Sequence, residues 1–266
     1  MSGFDRRIII LIFLFLSAHS ISSEEGKTSF SFSVSPSLIA GSGFEYVFST
    51  DSHIRSKLDW PLLPAGGLTA DTEFKLKNGL YFSFISSFII PAYSGQIFDY
   101  DYLNPYDSSM LTHFSEHKAY VKKGLDLNLN IGFMKLLVEY KTPSNKKIRV
   151  SCAPSIGIRY ILNAWDAVDG YTKYPPDTNP PSPVLPDTPT ISVAGLGISY
   201  KQSFILPSVG VLFRFELPRE WKIDLSTQLC PSAIGLAEDF HYKREDGGLK
   251  FVDVFKKKNL SFYLYL

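Results

Sequence analysis

Between Val121 and Phe133 the chain reads VKKGLDLNLNIGF, and its apolar and polar residues alternate. Val121, Leu125, Leu127, Leu129, Ile131 and Phe133 share one parity, while Asp126, Asn128 and Asn130 hold the other. A period of two separates such sets only on a strand, where successive side chains point to opposite faces. The segment LYFSFISSFII repeats the pattern, with Leu80, Phe82, Phe84, Phe88 and Ile90 against Tyr81, Ser83 and Ser87. NLSFYLYL repeats it again, with Leu260, Phe262, Leu264 and Leu266 against Ser261, Tyr263 and Tyr265. A soluble sandwich would turn the polar face to water. A membrane barrel would turn the apolar face to lipid and line its interior with the polar one.

The breaks between strands favour the barrel. KNG at 77–79, TPSNKK at 142–147 and PRE at 218–220 read as tight turns. Between them lie longer polar or Pro-rich stretches, above all GYTKYPPDTNPPSPVLPDTPT at 170–190. Short turns at one end and long loops at the other are the habit of outer-membrane barrels. About eight strands are expected, at 29–49, 56–76, 80–102, 117–138, 148–166, 192–217, 221–237 and 249–266. Strands of about twenty residues at about 3.3 Å per residue, tilted about 45°, rise about 45 Å, well above an apolar band about 25 Å tall. Half of such a barrel stands in water.

The N-terminus points the same way. Arg6 and Arg7 precede IIILIFLFL and then SAHSISSEEG, the order of a secretory signal peptide, expected over residues 1–23, with the barrel over 24–266. With 27 basic and 26 acidic residues the formal charge is +1, which implies no general attraction to nucleic acid. Cys152 and Cys230 read as two unpaired thiols in strands.

Two small clusters carry chemistry. In QIFDYDYLNP, Asp99 and Asp101 share the inward parity of Tyr81 and Ser83 if no bulge intervenes. In AEDFHYKRE, Asp239 and His241 also share one face, but the odd parity of their strand includes Ile223, Leu225 and Leu229, the lipid-facing set. A bulge, or a turn into loop geometry, must re-aim them if they are to face inward. An Asp on one imidazole nitrogen fixes the tautomer and leaves the other nitrogen as a general base. Two carboxylates held close do not easily both ionise. Between these groups a water could be deprotonated and aimed at a peptide carbonyl.

FDYDY followed by FSEHKAY, SKLDW, YKQSFILPSVGV and EDFHY, in that order and spacing, resemble the omptin outer-membrane proteases from about Ser29 to the C-terminus. The resemblance implies an all-β, antiparallel transmembrane barrel with an external peptidase groove. It matches Asp99 and Asp101 to the family's Asp-Asp couple, Asp239 and His241 to its Asp-His couple, and Ser115 and His117 to a supporting Ser-x-His. Water is the implied nucleophile, with no cofactor and no metal. Expected partners are a peptide or protein substrate, outer-membrane lipid and the barrel-assembly machinery. The expected place is the outer membrane of a diderm bacterium, with the site facing the exterior.

The chain departs from the family's pattern at three points. Glu45, in FEYVF, matches an acid that holds a basic substrate side chain, but its partner acid is replaced by Ala237, so weaker holding of Arg or Lys is expected. Arg159 matches one basic residue of the family's lipopolysaccharide site on the outer wall, while another is replaced by Ser203, which leaves lipopolysaccharide dependence open. Only 25 residues follow His241, so eight strands are expected where the family has ten. The rival readings are a non-enzymatic surface barrel, such as an adhesin, and a truncated, inactive relative.

Overall fold

The computed structural model of the protein describes residues 14–15, 28–143, 146–243, 247–257 and 261–265. Its strands are β1 (Leu14–Phe15), β2 (Ser29–Phe48), β3 (Ile54–Lys75), β4 (Leu80–Ile89), β5 (Ala92–Asp101), β6 (His113–Phe133), β7 (Lys135–Lys141), β8 (Lys147–Lys173), β9 (Ile191–Glu216), β10 (Lys222–Cys230), β11 (Ala233–His241), β12 (Leu249–Lys257) and β13 (Ser261–Tyr265). Four pairs of these are single staves broken once: β4 with β5, β6 with β7, β10 with β11, and β12 with β13. The result is eight long antiparallel staves, each paired with the next in chain order. The fold is the expected transmembrane barrel wall, and three staves overrun their expected ends: the fourth runs from His113 to Lys141 and the fifth from Lys147 to Lys173. The seventh continues to His241, so Asp239 and His241 lie within a strand rather than after it.

Short connections gather at one end. Gly79 takes a left-handed φ of 90° and donates its N–H to the Leu76 carbonyl, a turn conformation that glycine adopts without a Cβ penalty. Pro218–Glu220 forms a single 3-10 turn. The long loops 102–112 and 174–190 lie at the other end, and they touch. The Val184 N–H donates to the Leu111 carbonyl at 2.8 Å, and Asn104 Nδ2 to the Pro181 carbonyl at 3.0 Å.

The alternation sorts the faces. Phe30, Phe32, Val34 and Leu38 on β2, Phe84 and Phe88 on β4, Leu129, Ile131 and Phe133 on β6, and Ile156 and Ile158 on β8 are exposed on the outer wall, forming the apolar belt that lipid requires. Above it, toward the long loops, the outer wall carries charge. Lys57 pairs with Asp59, Lys122 with Asp166, and Lys201 and Lys250 with Glu238.

Polar side chains from opposite walls meet within the belt, which shows that the sheet is curled. Arg214 on β9 reaches Glu73 on β3 at 2.7 and 2.6 Å and Asp224 on β10 at 2.9 and 2.8 Å. Gln228 on β10 reaches Asn130 on β6 at 2.7 Å. Among the described residues no ladder joins β2 to β12 or β13; the far edge of β2 meets β1, with Leu14 opposite Leu38. The rest of the segment expected to be a signal peptide lies outside the described residues.

Two expectations need correction. Val121 does not share the outward face of Leu125 to Phe133: β6 carries an extra residue at Lys122 between the pairs Val121–Trp165 and Lys123–Ala164, and Val121 is buried inside. Arg159 is not on the outer wall either. It points into the barrel, is 1% exposed, and is paired through two guanidinium nitrogens with Asp126. A guanidinium enclosed there cannot bind a lipid headgroup outside. Cys152 and Cys230 are both free thiols.

Candidate active site

The upper interior is closed from below by an apolar layer that includes Trp60, Ile97, Ala119, Val121, Trp165, Ala167 and Tyr200, all buried. The charged residues of the mouth rest on this floor.

Asp99 and Asp101 reach the mouth through two steps in one stave. At Ile90–Pro91 two successive residues face outward, so the inward set passes from odd-numbered Ile89 to even-numbered Ala92, which pairs with buried Val121. Proline lacks the N–H of a regular ladder and fits such a break. Three residues on, Ser94 is extra to β6 between the pairs Tyr93–Tyr120 and Gly95–Ala119. Each step reverses parity, and together they restore it. Ile97, Asp99 and Asp101 face inward, all buried. Simple counting reaches the correct face here because two irregularities cancel.

Asp239 and His241 needed one step, and the sheet contains it. Leu229 pairs with Val209 and Ile234 with Ile205, so the seventh stave spends five residues where β9 spends four. Against the other neighbour Cys230 pairs with Ser261 and Ala233 with Lys257, so there the seventh stave spends three residues where the eighth spends four. The slip lies at Pro231–Ser232. Below it the even residues Gln228 and Cys230 are buried, and above it the odd residues Ala237, Asp239 and His241 are. His241 Nε2 and Asp239 Oδ2 lie 2.5 Å apart.

Glu45 on β2 completes an inner row: it pairs with Leu58, Leu58 with Asp99, and Asp99 with Ser115. It stands above the lipid belt and is buried. Burial first, and then the carboxylates of Asp239, Asp253 and Asp99, push its carboxyl well above the ordinary range. One side chain on β2 is therefore within electrostatic reach of both the β5 acid and the β11 acid.

Ser115 and His117 are buried beside them and bonded to each other, with Oγ 3.2 Å from Nε2. His117 Nδ1 donates to the Asp169 carbonyl at 2.9 Å, so in the neutral ring Nε2 accepts from Ser115. Burial pushes this imidazole below its ordinary range, which keeps it neutral. The carbonyl is aimed by a kink: Asp169 has φ 50°, and Gly170 has φ 132° where a Cβ would strike the Glu116 carbonyl at 2.0 Å.

The residues unforeseen from sequence are Trp60, Trp165, Tyr200 and Asp253. The three rings lie together, with Trp60 and Tyr200 stacked at 5.2 Å and Trp165 6.1 Å from each. Asp253 is exposed and pairs across the ladder with Ala237. No group of three or more His, Cys, Asp or Glu suited to a metal ion occurs among the described residues.

A search of the curated proteins returns no match. Among solved structures, the crystal structure of the outer membrane protease OmpT from Escherichia coli matches with a TM-score of 0.71 and 16% identity, covering 89% of this chain and 75% of that one. At that identity the likeness concerns the fold. The model of the Omptin family matches residues 26–264, nearly the whole barrel and every residue of the site above. The chain belongs to the omptin family of outer-membrane proteases.

Proposed function

We propose that this barrel is an endopeptidase whose nucleophile is a water held between the Asp239–His241 couple and the Asp99–Asp101 couple. The observation that carries the reading is the 2.5 Å contact of His241 with Asp239 on a stretch of strand turned inward by one extra residue. Asp239 accepts from Nε2–H, which leaves Nδ1 as the lone-pair nitrogen, the state a general base requires. The carboxylate also stabilises the imidazolium that forms when the water gives up its proton.

Asp99 and Asp101 approach from the opposite side of the mouth. They complete the other side of the space in which the water and the substrate carbonyl would sit. The proton taken by His241 then passes to the departing amine. No bond to the enzyme forms at any step. Ser115 and His117 support the wall behind Asp99, since both ring nitrogens of His117 are already engaged.

The reading is tested by incubating the folded protein in detergent with a peptide library, with and without lipopolysaccharide, and identifying products by mass spectrometry. Cleavage by the wild type that disappears in Asp99→Ala and in His241→Ala, with both variants still migrating as compact barrels before heating, is the expected result. Equal cleavage in either variant contradicts it.

A further inference from the structure

On β12 the odd residues Leu249, Phe251 and Asp253 pair with His241, Asp239 and Ala237 of β11. Cross-strand partners project to the same side of a sheet, and diagonal neighbours stay within reach of an aromatic side chain. Phe251 therefore stands directly across from Asp239 and diagonally from His241. Its ring centroid lies 5.6 Å from that of the imidazole, with the two planes at 86°, an edge-to-face arrangement that the ring quadrupoles favour. Gly248 draws the two strands together at this point. It takes a left-handed φ of 84°, and a Cβ there would stand 3.0 Å from the His241 carbonyl oxygen and 2.8 Å from the Phe240 ring. The ladder thus resumes tightly at His241 and Leu249, which fixes where Phe251 can stand.

The ring is an apolar side chain in charged company. It is 40% exposed, whereas Asp239 and His241 are 3% and 6% exposed. Asp239 Oδ2 lies 2.5 Å from His241 Nε2, while Oδ1 is buried and meets no donor among the described residues. The charge of this carboxylate is directed at one imidazole. A charge-assisted hydrogen bond of this kind gains strength where the local dielectric is low, so it depends on what keeps solvent off the pair.

We infer that Phe251 is a positioning residue for the Asp239–His241 couple: its ring packs against the imidazole so that Nε2 stays on Asp239 and Nδ1 stays free for the water, and it shelters their hydrogen bond from the solvent of the mouth. A half-turn of the imidazole about its Cβ–Cγ bond would carry Nε2 away from the carboxylate and put a C–H in its place. The perpendicular ring obstructs that swing. When His241 takes up a proton the same ring lies beside the imidazolium, and an aromatic face attracts such a cation. Phe251 acts through His241.

This role rests on the peptidase reading above for its effect on rate, but the geometry is measured without substrate. Barrels carrying isotopically labelled histidine are folded in detergent as the wild type, Phe251→Ala, Phe251→Leu and Phe251→Tyr, with His241→Ala to identify the His241 signals. Phe251→Leu keeps an apolar side chain without the ring and carries the same expectation where Phe251→Ala gives no compact barrel. Nitrogen NMR at about pH 8, where an imidazole is ordinarily neutral, is expected to show His241 as a single Nε2–H tautomer in the wild type and in Phe251→Tyr. In Phe251→Ala and Phe251→Leu it is expected to divide between tautomers. On a peptide that the wild type cleaves, loss of the ring should lower kcat about tenfold, a part of what acid–base catalysis contributes, with KM changed by less than about twofold and with kcat recovered in Phe251→Tyr. A rise in KM at constant kcat would make Phe251 a wall for the substrate and overturn the role. A tautomer that divides on loss of the ring, in a barrel that cleaves no peptide, would sink the peptidase reading and leave Phe251 positioning the couple. Peptide cleavage with the tautomer and kcat indifferent to Phe251 would overturn the positioning role and spare the peptidase.

Discussion

Asp239 and His241 stand two residues apart on β11 with Oδ2 and Nε2 separated by 2.5 Å, and both are buried in the mouth of the barrel. Asp239→Asn keeps the size of the side chain but replaces the charge, and the amide can hold the wrong tautomer. General acid–base catalysis contributes about 10²–10⁴-fold, so kcat for peptide hydrolysis is expected to fall by that order while KM changes little. A rise in KM at constant kcat would show that Asp239 binds substrate rather than orienting the imidazole.

The re-aiming of this couple depends on one residue at Pro231–Ser232. In a background with Cys152 and Cys230 replaced by serine, nitroxide labels at Leu229 and Ile234 are both expected to be oxygen-accessible in lipid, although their numbers differ in parity. A label at Gly235 is expected to be sheltered. If Ile234 behaves as the sheltered position and Gly235 as the lipid-exposed one, the slip is absent.

Lower in the barrel, Arg214 bridges Glu73 and Asp224 through four hydrogen bonds of 2.6–2.9 Å. Truncating one member of a buried ionic group leaves its partners uncompensated, at about 3–5 kcal/mol. Arg214→Ala should therefore lower the urea midpoint for loss of the compact electrophoretic form, and Arg214→Met combined with Glu73→Gln and Asp224→Asn should recover much of the loss. An Arg214→Ala midpoint equal to that of the wild type would show that the cluster does not tie the walls together.

Glu45 gives a pH dependence with a definite sign. Burial and the neighbouring acids raise its folded value above the ordinary 4.5, so the folded state holds this proton where the unfolded chain releases it. Its stabilising contribution is full below about pH 4.5 and is lost as pH rises through the folded value. Glu45→Gln stays neutral throughout. The thermal midpoint of the variant minus that of the wild type should therefore increase as pH rises above about 4.5; a difference independent of pH would contradict the raised value.

Much of this architecture was legible because a strand writes its two faces into alternate residues. The outward Phe82, Phe84 and Phe88 and the inward Tyr81 and Ser83 follow by counting, as do the eight staves and their short turns. Counting fails where a stave carries an extra residue, as at Lys122, which moves Val121 inside. The step at Pro231–Ser232 could be required but not located, since a bulge has no spacing signature of its own. Arg159 matched an outer-wall residue by position, yet its parity with Gly157 and Ala153 places it on the inward face, from which it reaches Asp126. Asp253 escaped notice because it meets Ala237 only after the sheet has formed: the two are sixteen residues apart on different strands.

The central claim is that the two couples act on one water, and a double-variant cycle tests it most directly. Rates of peptide hydrolysis are measured for the wild type, Asp99→Asn, His241→Ala and the pair together. If both groups serve the same step, the double variant should be no more than about threefold slower than the worse single variant, as happens when residues work as a unit. Losses that multiply, so that the double variant falls by the product of the two, would mean that Asp99 and His241 act independently and that no shared water lies between them.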